Sequence, residues 1–427
     1  MESLFAYIAA SPTAYQAAAH SAELLEKAGY IRLSEGAHWV LEPGKGYFVT
    51  RNGSSLVAFR LPEALPAGFM IAAAHLDSPT FKIKENAELE GGGYIRLSVE
   101  KYGGMLCASW MDRPLSVAGR VLLRTESGVR SQLVDFKKPV ALIPNVAIHM
   151  NRKANDGFAY NPAVDMLPLY AGKDKAGAFF DALAALAGCK KEDILSHDLF
   201  LYNPEAGVEW GDFVSAPRLD DLQCAYSALT ALLDAQDGSA IPVCALFDNE
   251  EVGSTTKQGA ASTFLADLLS RIASSLELDE EEKKRLIASS LMVSCDNAHA
   301  VHPNHPEFSD KNHTVTVNGG IVIKYNANQK YTSDAVSAAL FRLLCEKACV
   351  PVQLYANRAD MAGGSTLGNI SNTQVSLNTV DIGIAQLAMH SAFETAGRED
   401  TGRMVAALKA LYRSSILQKG DGVYDLQ

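Results

Sequence analysis

Cysteine is scarce in this sequence and does not fall into pairs. The 427 residues hold seven: Cys107, Cys189, Cys224, Cys244, Cys295, Cys345 and Cys349. Only Cys345 and Cys349 are close together, at helical i, i+4 spacing and without a matching histidine pair. This excludes a disulfide-stapled domain and a thiolate zinc site, and leaves reduced core thiols of a cytosolic protein. Positive charge is also short. Lys and Arg total 38 against 49 Asp and Glu, a net charge of -11. Nucleic acid and anionic membranes reward clustered cations, so neither is an expected partner. No apolar run is long enough to cross a bilayer. The opening "MESLFAYIAASPTAYQ" has no basic region ahead of its apolar residues and does not read as a secretory signal, so the expected location is cytoplasmic. Internal repeats and low-complexity linkers are absent.

What is present is globular: 48% hydrophobic and 20% charged residues, in a chain long enough for two domains. The opening residues to about Lys27 read as a helix ending on Gly29. Asn52-Gly53 between two strand-like runs reads as a hairpin. "GFMIAAAH" is a continuous apolar run stopping at His75, as a central strand would. From about residue 83 the texture turns to short alternating segments ("YIRLSVE", "AGRVLLRT", "SQLVDF"), with one helix around "AGAFFDALAALAG". Helix and strand then alternate: "LDDLQCAYSALTALLDA", "IPVCALFD", "STFLADLLSRIASSL", "SSLMVSCD" and "SDAVSAALFRLLCEKA". "DTGRMVAALKALYRSS" closes the chain as a helix. This order predicts an α/β domain, residues 1–82 and 212–427, interrupted by a β-rich insertion over 83–211.

Acidic and histidine residues gather where these strands end. His75 and Asp77 follow "MIAAA", Asp220-Asp221 precede a helix, and Glu250-Glu251 follow "VCALF". Asp296 follows "SLMVSC", and His390 follows "AQLAM". Each cluster has a plainer use. A His-x-Asp is commonly just a loop, an Asp pair before a helix commonly caps it, and adjacent glutamates commonly face water. The plainer uses weaken together, because all five clusters share one kind of location and one ligand chemistry. Open α/β sheets place ligand sites at the carboxyl ends of strands. Mixed carboxylate and imidazole donors without thiolate suit zinc, manganese or cobalt in an open hydrolytic site. Two such ions can share a bridging carboxylate at about 3.5–4 Å separation. Adjacent glutamates then make sense: one ligates a cation and the other stays free as a general base.

The motifs "AAHLDSP", "SAPRLDDL", "FDNEEVGS", "SCDNAHAVHPN" and "QLAMHS", with "YIAASPTAY" and "IPNVAIHMNR", resemble the aspartyl aminopeptidases in order and near spacing along nearly the whole chain. The resemblance implies a zinc-peptidase-type three-layer α/β/α catalytic domain with an inserted β-rich dimerisation domain. It implies two divalent ions, zinc first, with manganese or cobalt as alternatives. His75, Asp220 and Asp296 would hold one, and Asp220, Glu251 and His390 the other. Asp77 would orient His75, and Glu250 would be the general base. Lys324 would hold an acidic substrate side chain, and His149 would reach a neighbouring subunit's site. A cis peptide after Asp220 and dimers assembled into a tetrahedral dodecamer are further implications. The expected activity is removal of N-terminal residues, Asp or Glu preferred, from peptides. A broad or neutral-residue aminopeptidase and a di-metal amidohydrolase or deacylase of small amides are the competing readings. Asp221 and "DMAGGSTLG" depart from the family's commoner wording.

Overall fold

The structure, a computed structural model, describes residues 3–235 and 238–427. Its largest sheet has nine strands, in the order Ile31–Leu33, Gly46–Arg51, Ser55–Arg60, Ile241–Phe247, Phe69–His75, Leu291–Cys295, Asn378–Gly383, Ile321–Tyr325 and Val352–Ala356. Phe69–His75 lies at the centre, parallel to Ile241–Phe247 on one side and Leu291–Cys295 on the other. Every residue of it is buried, which is why its sequence is a continuous apolar run rather than an alternating one. Its side chains still alternate in destination. Met70, Ala72 and Ala74 enter a core shared with the helices Ala14–Lys27, Leu219–Asp234, Ala335–Lys347 and Asp400–Tyr412. Phe69, Ile71 and Ala73 enter another, shared with Phe264–Ser275. The result is three layers, helices on both faces of a mixed sheet.

The inserted strands form a second body. Seven strands run in the order Ile194–Tyr202, Thr80–Gly91, Tyr94–Tyr102, Leu169–Gly172, Ala141–Leu142, Pro114–Arg124 and Val129–Asp135, and Ile194–Tyr202 also pairs with Pro114–Arg124, closing a barrel. Its interior holds Phe81, Leu97, Val117, Val121, Leu199 and Leu201, with Phe179 and Leu183 of the helix Ala178–Ala187. At the closing seam Gly119 has φ +146°, and a Cβ there would lie 1.9 Å from the Asp198 carbonyl. Only glycine fits so close an approach. Val208–Trp210, Phe213–Ala216, Glu394–Gly397, Ala385–Leu387 and Ala298–His299 form, in that order, a five-stranded sheet.

Four readings of the sequence need correction. The opening helix is two, Leu4–Ala10 and Ala14–Lys27, interrupted at Pro12. A further helix, Glu280–Ala288, is held at its start by Asp279 and Glu282 in reciprocal caps; its charged, weakly periodic sequence concealed it. The chain does not close on a helix but on the hairpin Ile416–Gly420 and Val423–Leu426. All seven thiols are free, yet Cys349 is exposed and Cys107 and Cys189 are only half-buried. Among the described residues, no helix is long and apolar enough to cross a membrane.

Candidate active site

The central strand ends on His75, and the chain turns there so that the Asp77 carbonyl lies 3.0 Å from the imidazole Nδ1. A carbonyl only accepts, so Nδ1 carries a proton, and Nε2 is the nitrogen left to face a ligand. Nε2 lies 3.6 Å from Asp220 Oδ1. His390 repeats the arrangement. Its Nδ1 lies 2.7 Å from the Gly104 carbonyl, and its Nε2 lies 3.3 Å from Asp220 Oδ2 and 3.5 Å from Glu251 Oε2. Asp220 therefore stands between two imidazoles, one at each carboxylate oxygen. The Asp220-Asp221 peptide bond is cis, as expected.

The other acids converge from neighbouring strand ends. Glu250 and Glu251 open a short 3₁₀ turn after Ile241–Phe247, between Asn249 at φ +63° and Gly253 at φ +97°. Their backbone N–H groups donate to the two oxygens of Asp77, each at 3.1 Å. Asp77 thus serves His75 with its carbonyl, and its carboxylate, 3.5 Å from the same Nδ1, holds the glutamates. Asp296 follows Leu291–Cys295, and Lys324 Nζ lies 3.7 Å from its Oδ2 while donating to the Asn297 carbonyl at 2.9 Å. Ligand atoms lie within 4.8 Å of one another in three groups: His75, Asp220, Asp221 and Asp296; His75, Glu250 and Glu251; Asp220, Glu251 and His390. His149 is outside all of them, exposed in a barrel loop.

So much acid, buried together, is unstable without a cation. Burial first, then the Asp296, Asp77 and Asp220 charges, push the Glu250 carboxyl up to about 8 against the pull of His75. Burial also drives Glu251 and Asp221 well above the ordinary carboxyl range. Burial alone would raise Asp220 too, but the His390 and His75 imidazoles beside it, His390 first, hold it below its usual value. Burial would lower His390, yet Asp220 and Glu251 raise it to about 10. Asp220 Oδ1, Asp221 Oδ1 and Glu251 Oε1 are buried without any hydrogen-bond partner. Orphaned carboxylate oxygens gathered around two imidazole nitrogens are what divalent ions would satisfy, so the donor set fits the expected metals.

A cavity of about 130 Å³ opens on this cluster, bordered by His75, Asp220, Glu250, Asp296, Lys324 and His390, with Tyr331 and Tyr355. A larger one, about 330 Å³, touches Asp77, Asp220 and Glu394 and is walled largely by barrel and N-terminal residues such as Tyr15 and Phe200. It includes none of the other converging ligands, so chemistry points to the smaller.

Sequence reasoning missed Glu394. This buried side chain accepts from the Asp220 N–H at 3.0 Å and the His390 N–H at 2.7 Å, fixing the backbones of both. No local pattern announces it, because its partners are far apart in the chain. It also misplaced the origin of His390, whose preceding strand, Ala385–Leu387, belongs to the five-stranded sheet and not to the large one. The hairpin loop joining Ala385–Leu387 to Glu394–Gly397, two paired strands of that same sheet, delivers the imidazole instead, with His390 at φ +65°.

A layered α/β sheet that gathers imidazoles and carboxylates around an open cavity is the framework of a metallohydrolase. A family model described as "Aminopeptidase I zinc metalloprotease (M18)" matches residues 7–412. A "Probable M18 family aminopeptidase 2" from Clostridium novyi is 44% identical over 421 residues, 96% of this chain and 97% of its own length. One from Pseudomonas aeruginosa is 42% identical over 428 residues, 97% and 98% of the two chains. Among solved structures, the chain is similar to one titled "Cryo-EM structure of the Ape4 and Nbr1 complex" (TM-score 0.92, 34% identity, 96% of this chain and 84% of that one). It is similar also to an S. cerevisiae mApe1 dodecamer (TM-score 0.84, 30% identity, 96% and 95%). The chain belongs to the M18 aminopeptidases, the zinc metalloprotease family that includes the aspartyl aminopeptidases.

Proposed function

We propose that this aminopeptidase uses two divalent ions, zinc first and manganese or cobalt as alternatives, and prefers peptides beginning with Asp or Glu. One observation carries the two-ion reading: Asp220 belongs to two separate donor groups, one with His75 and Asp296, the other with Glu251 and His390. When bound, the ions polarise the scissile carbonyl and acidify a water. Glu250 takes the water proton and later delivers it to the leaving amine. Asp77 holds the turn that aims Glu250. The acidic surroundings favour the substrate's free α-amine. Lys324, bordering the cavity, offers its ammonium to a substrate carboxylate; such a bond contributes about 1.5–3 kcal/mol, enough for a preference and too little to exclude Leu or Met. Asp296 already faces that ammonium at 3.7 Å, which favours measurable neutral activity beside the acidic preference.

The same reading gives residues 1–82 and 212–427 to catalysis and 83–211 to dimerisation. It places the protein in the cytoplasm as dimers of a tetrahedral dodecamer. The mApe1 structure supports the twelvefold assembly. A panel of amino-acyl amides, assayed with metal-reconstituted protein, tests the function. Turnover should need a free α-amine and favour Asp and Glu, and Lys324→Met should move the kcat/KM ratio toward neutral residues. Preference for Leu over Asp would end the specificity claim, and turnover of N-blocked amides would favour a deacylase.

A further inference from the structure

We infer that Tyr102 is a positioning residue for catalysis, through which the inserted barrel fixes the geometry of the glutamate turn. Tyr102 is the last residue of the barrel strand Tyr94–Tyr102. Its hydroxyl donates to Asp77 Oδ2 at 2.7 Å and accepts from Asn249 Nδ2 at 2.8 Å. Asp77 in turn accepts the N–H groups of Glu250 and Glu251, each at 3.1 Å. Asn249 is the residue directly before them, and its own amide oxygen accepts from Thr256 and Gln258, each at 2.8 Å. The hydroxyl therefore closes a ring: tyrosine to aspartate, aspartate to glutamate backbone, glutamate backbone to asparagine, asparagine to tyrosine. The ring of Tyr102 is anchored in the barrel, edge-on to Phe200 at 5.5 Å between centroids.

The residues that follow extend the contact to the other donor group. Gly103 has φ +76°, and a Cβ on it would come within 3.1 Å of the Glu251 Cβ. The Gly104 carbonyl takes the Nδ1 proton of His390, and the Leu106 N–H donates to the His390 carbonyl at 3.0 Å. One barrel segment thus touches Asp77, Glu251 and His390. Groups that orient ligands and the base, without touching substrate, commonly contribute 10- to 100-fold to affinity or rate. A phenol suits the place because it donates and accepts at once, which phenylalanine cannot do.

The inference rests on the two-ion reading with Glu250 as base, and the test separates the two. Tyr102→Phe keeps the ring on Phe200 and removes only the hydroxyl. In the zinc-reconstituted full chain, kcat should fall about tenfold with KM within about twofold, and the more weakly held zinc should lose about tenfold in affinity against a chromophoric chelator. Phe200→Leu loosens the ring but keeps the hydroxyl, and should lower Tm while kcat falls less than in Tyr102→Phe. Wild-type kcat and zinc affinity in Tyr102→Phe overturn the inference. So does an equal loss of kcat in Phe200→Leu, which makes packing the cause. Should Tyr102→Phe fail to fold, Asn249→Gly removes the opposite donor at a left-handed position that glycine accepts, and an unchanged kcat there overturns it equally. The chelator competition needs no turnover. If wild-type protein proves inactive on peptides, the functional reading fails while zinc affinity still reports on Tyr102.

Discussion

Glu250 and Glu251 share one turn but face different neighbours, Glu250 toward His75 and Glu251 toward Asp220 and His390. Their substitutions should therefore differ in kind. Glu250→Gln should retain both metals and lose about 10²–10⁴-fold in kcat, the usual range for removal of a general base. Glu251→Gln should instead lower the affinity of one ion. Metal analysis beside single-turnover rates decides, and a fully metallated Glu250→Gln with near-normal rate rules the assignment out. The same buried acids set a pH dependence. Burial first, and then Asp220, raise Glu394 to about 8; Glu250 also stands at about 8. A buried acid with a raised pKa favours the fold while protonated, so its contribution falls as pH climbs from about 4.5 toward 8. His390, raised to about 10, contributes stability that is fully present below about 6.5 and lost as pH rises toward 10. Asp220 runs the other way, but its window lies below about 4. Chelator-treated protein should thus lose Tm between pH 5.5 and 8. Zinc should raise Tm more at pH 8 than at pH 6, because ligands must release protons to bind it. A metal-free Tm that is level or rising across that range contradicts this account of the buried acids.

At the level of the element, legibility followed periodicity. "GFMIAAAH", "IPVCALFD" and "SSLMVSCD" are short, apolar and end on acid or histidine, and each holds a buried strand aimed at the site. Asn52-Gly53 makes its turn with both residues at positive φ. Glu280–Ala288 was hidden because its stability comes from capping and from Leu286 packed on the core, not from an apolar stripe. Asp77, Asp220, Glu251, Asp296 and His390 could be nominated from local pattern, whereas Glu394, Tyr102 and the Gly104 carbonyl could not. Their roles depend on which strands meet, and strand order is decided by long-range packing. That packing yields tests. A Cβ on Gly383 would lie 2.1 Å from the Asp296 carbonyl, a backbone atom that cannot move alone. Gly383→Ala should shift Asp296, cost about tenfold in zinc affinity, and lower Tm by a few degrees. Gly402, inside the helix Asp400–Tyr412, has nothing within 4 Å of such a Cβ. Gly402→Ala should stabilise by about 0.4–1 kcal/mol by restricting the unfolded chain. Equal Tm values for the two variants would show that the close approach at Gly383 is relieved more easily than its backbone neighbour suggests.

The whole molecule joins a barrel to a layered sheet, and the barrel carries a surface that its own chain leaves uncovered. Val146, Ile148, Met150, Phe158 and Val164 are all exposed within one loop region, Met150 at 84%. Exposed apolar side chains gathered in this way mark contact sites more often than isolated ones do. His149 lies among them, exposed and away from the ligands of its own chain. If that loop docks on a second subunit and His149 completes the neighbour's cavity, each active site draws on two chains. His149→Ala and Glu250→Gln should each be nearly inactive alone, for different reasons. In a mixed dimer, the His149→Ala subunit keeps its Glu250 and receives the partner's intact histidine, so its site is whole. The other site lacks both groups. Random equal mixing makes half the dimers mixed, with one working site in two, so about a quarter of wild-type activity should return on a symmetric interface. Recovery should appear only after dissociation and reassembly, followed by native mass spectrometry to confirm exchange. Exchanged subunits with no recovery would assign His149 to its own chain or to packing alone. Immediate recovery without exchange would mean that the two variants were never fully inactive.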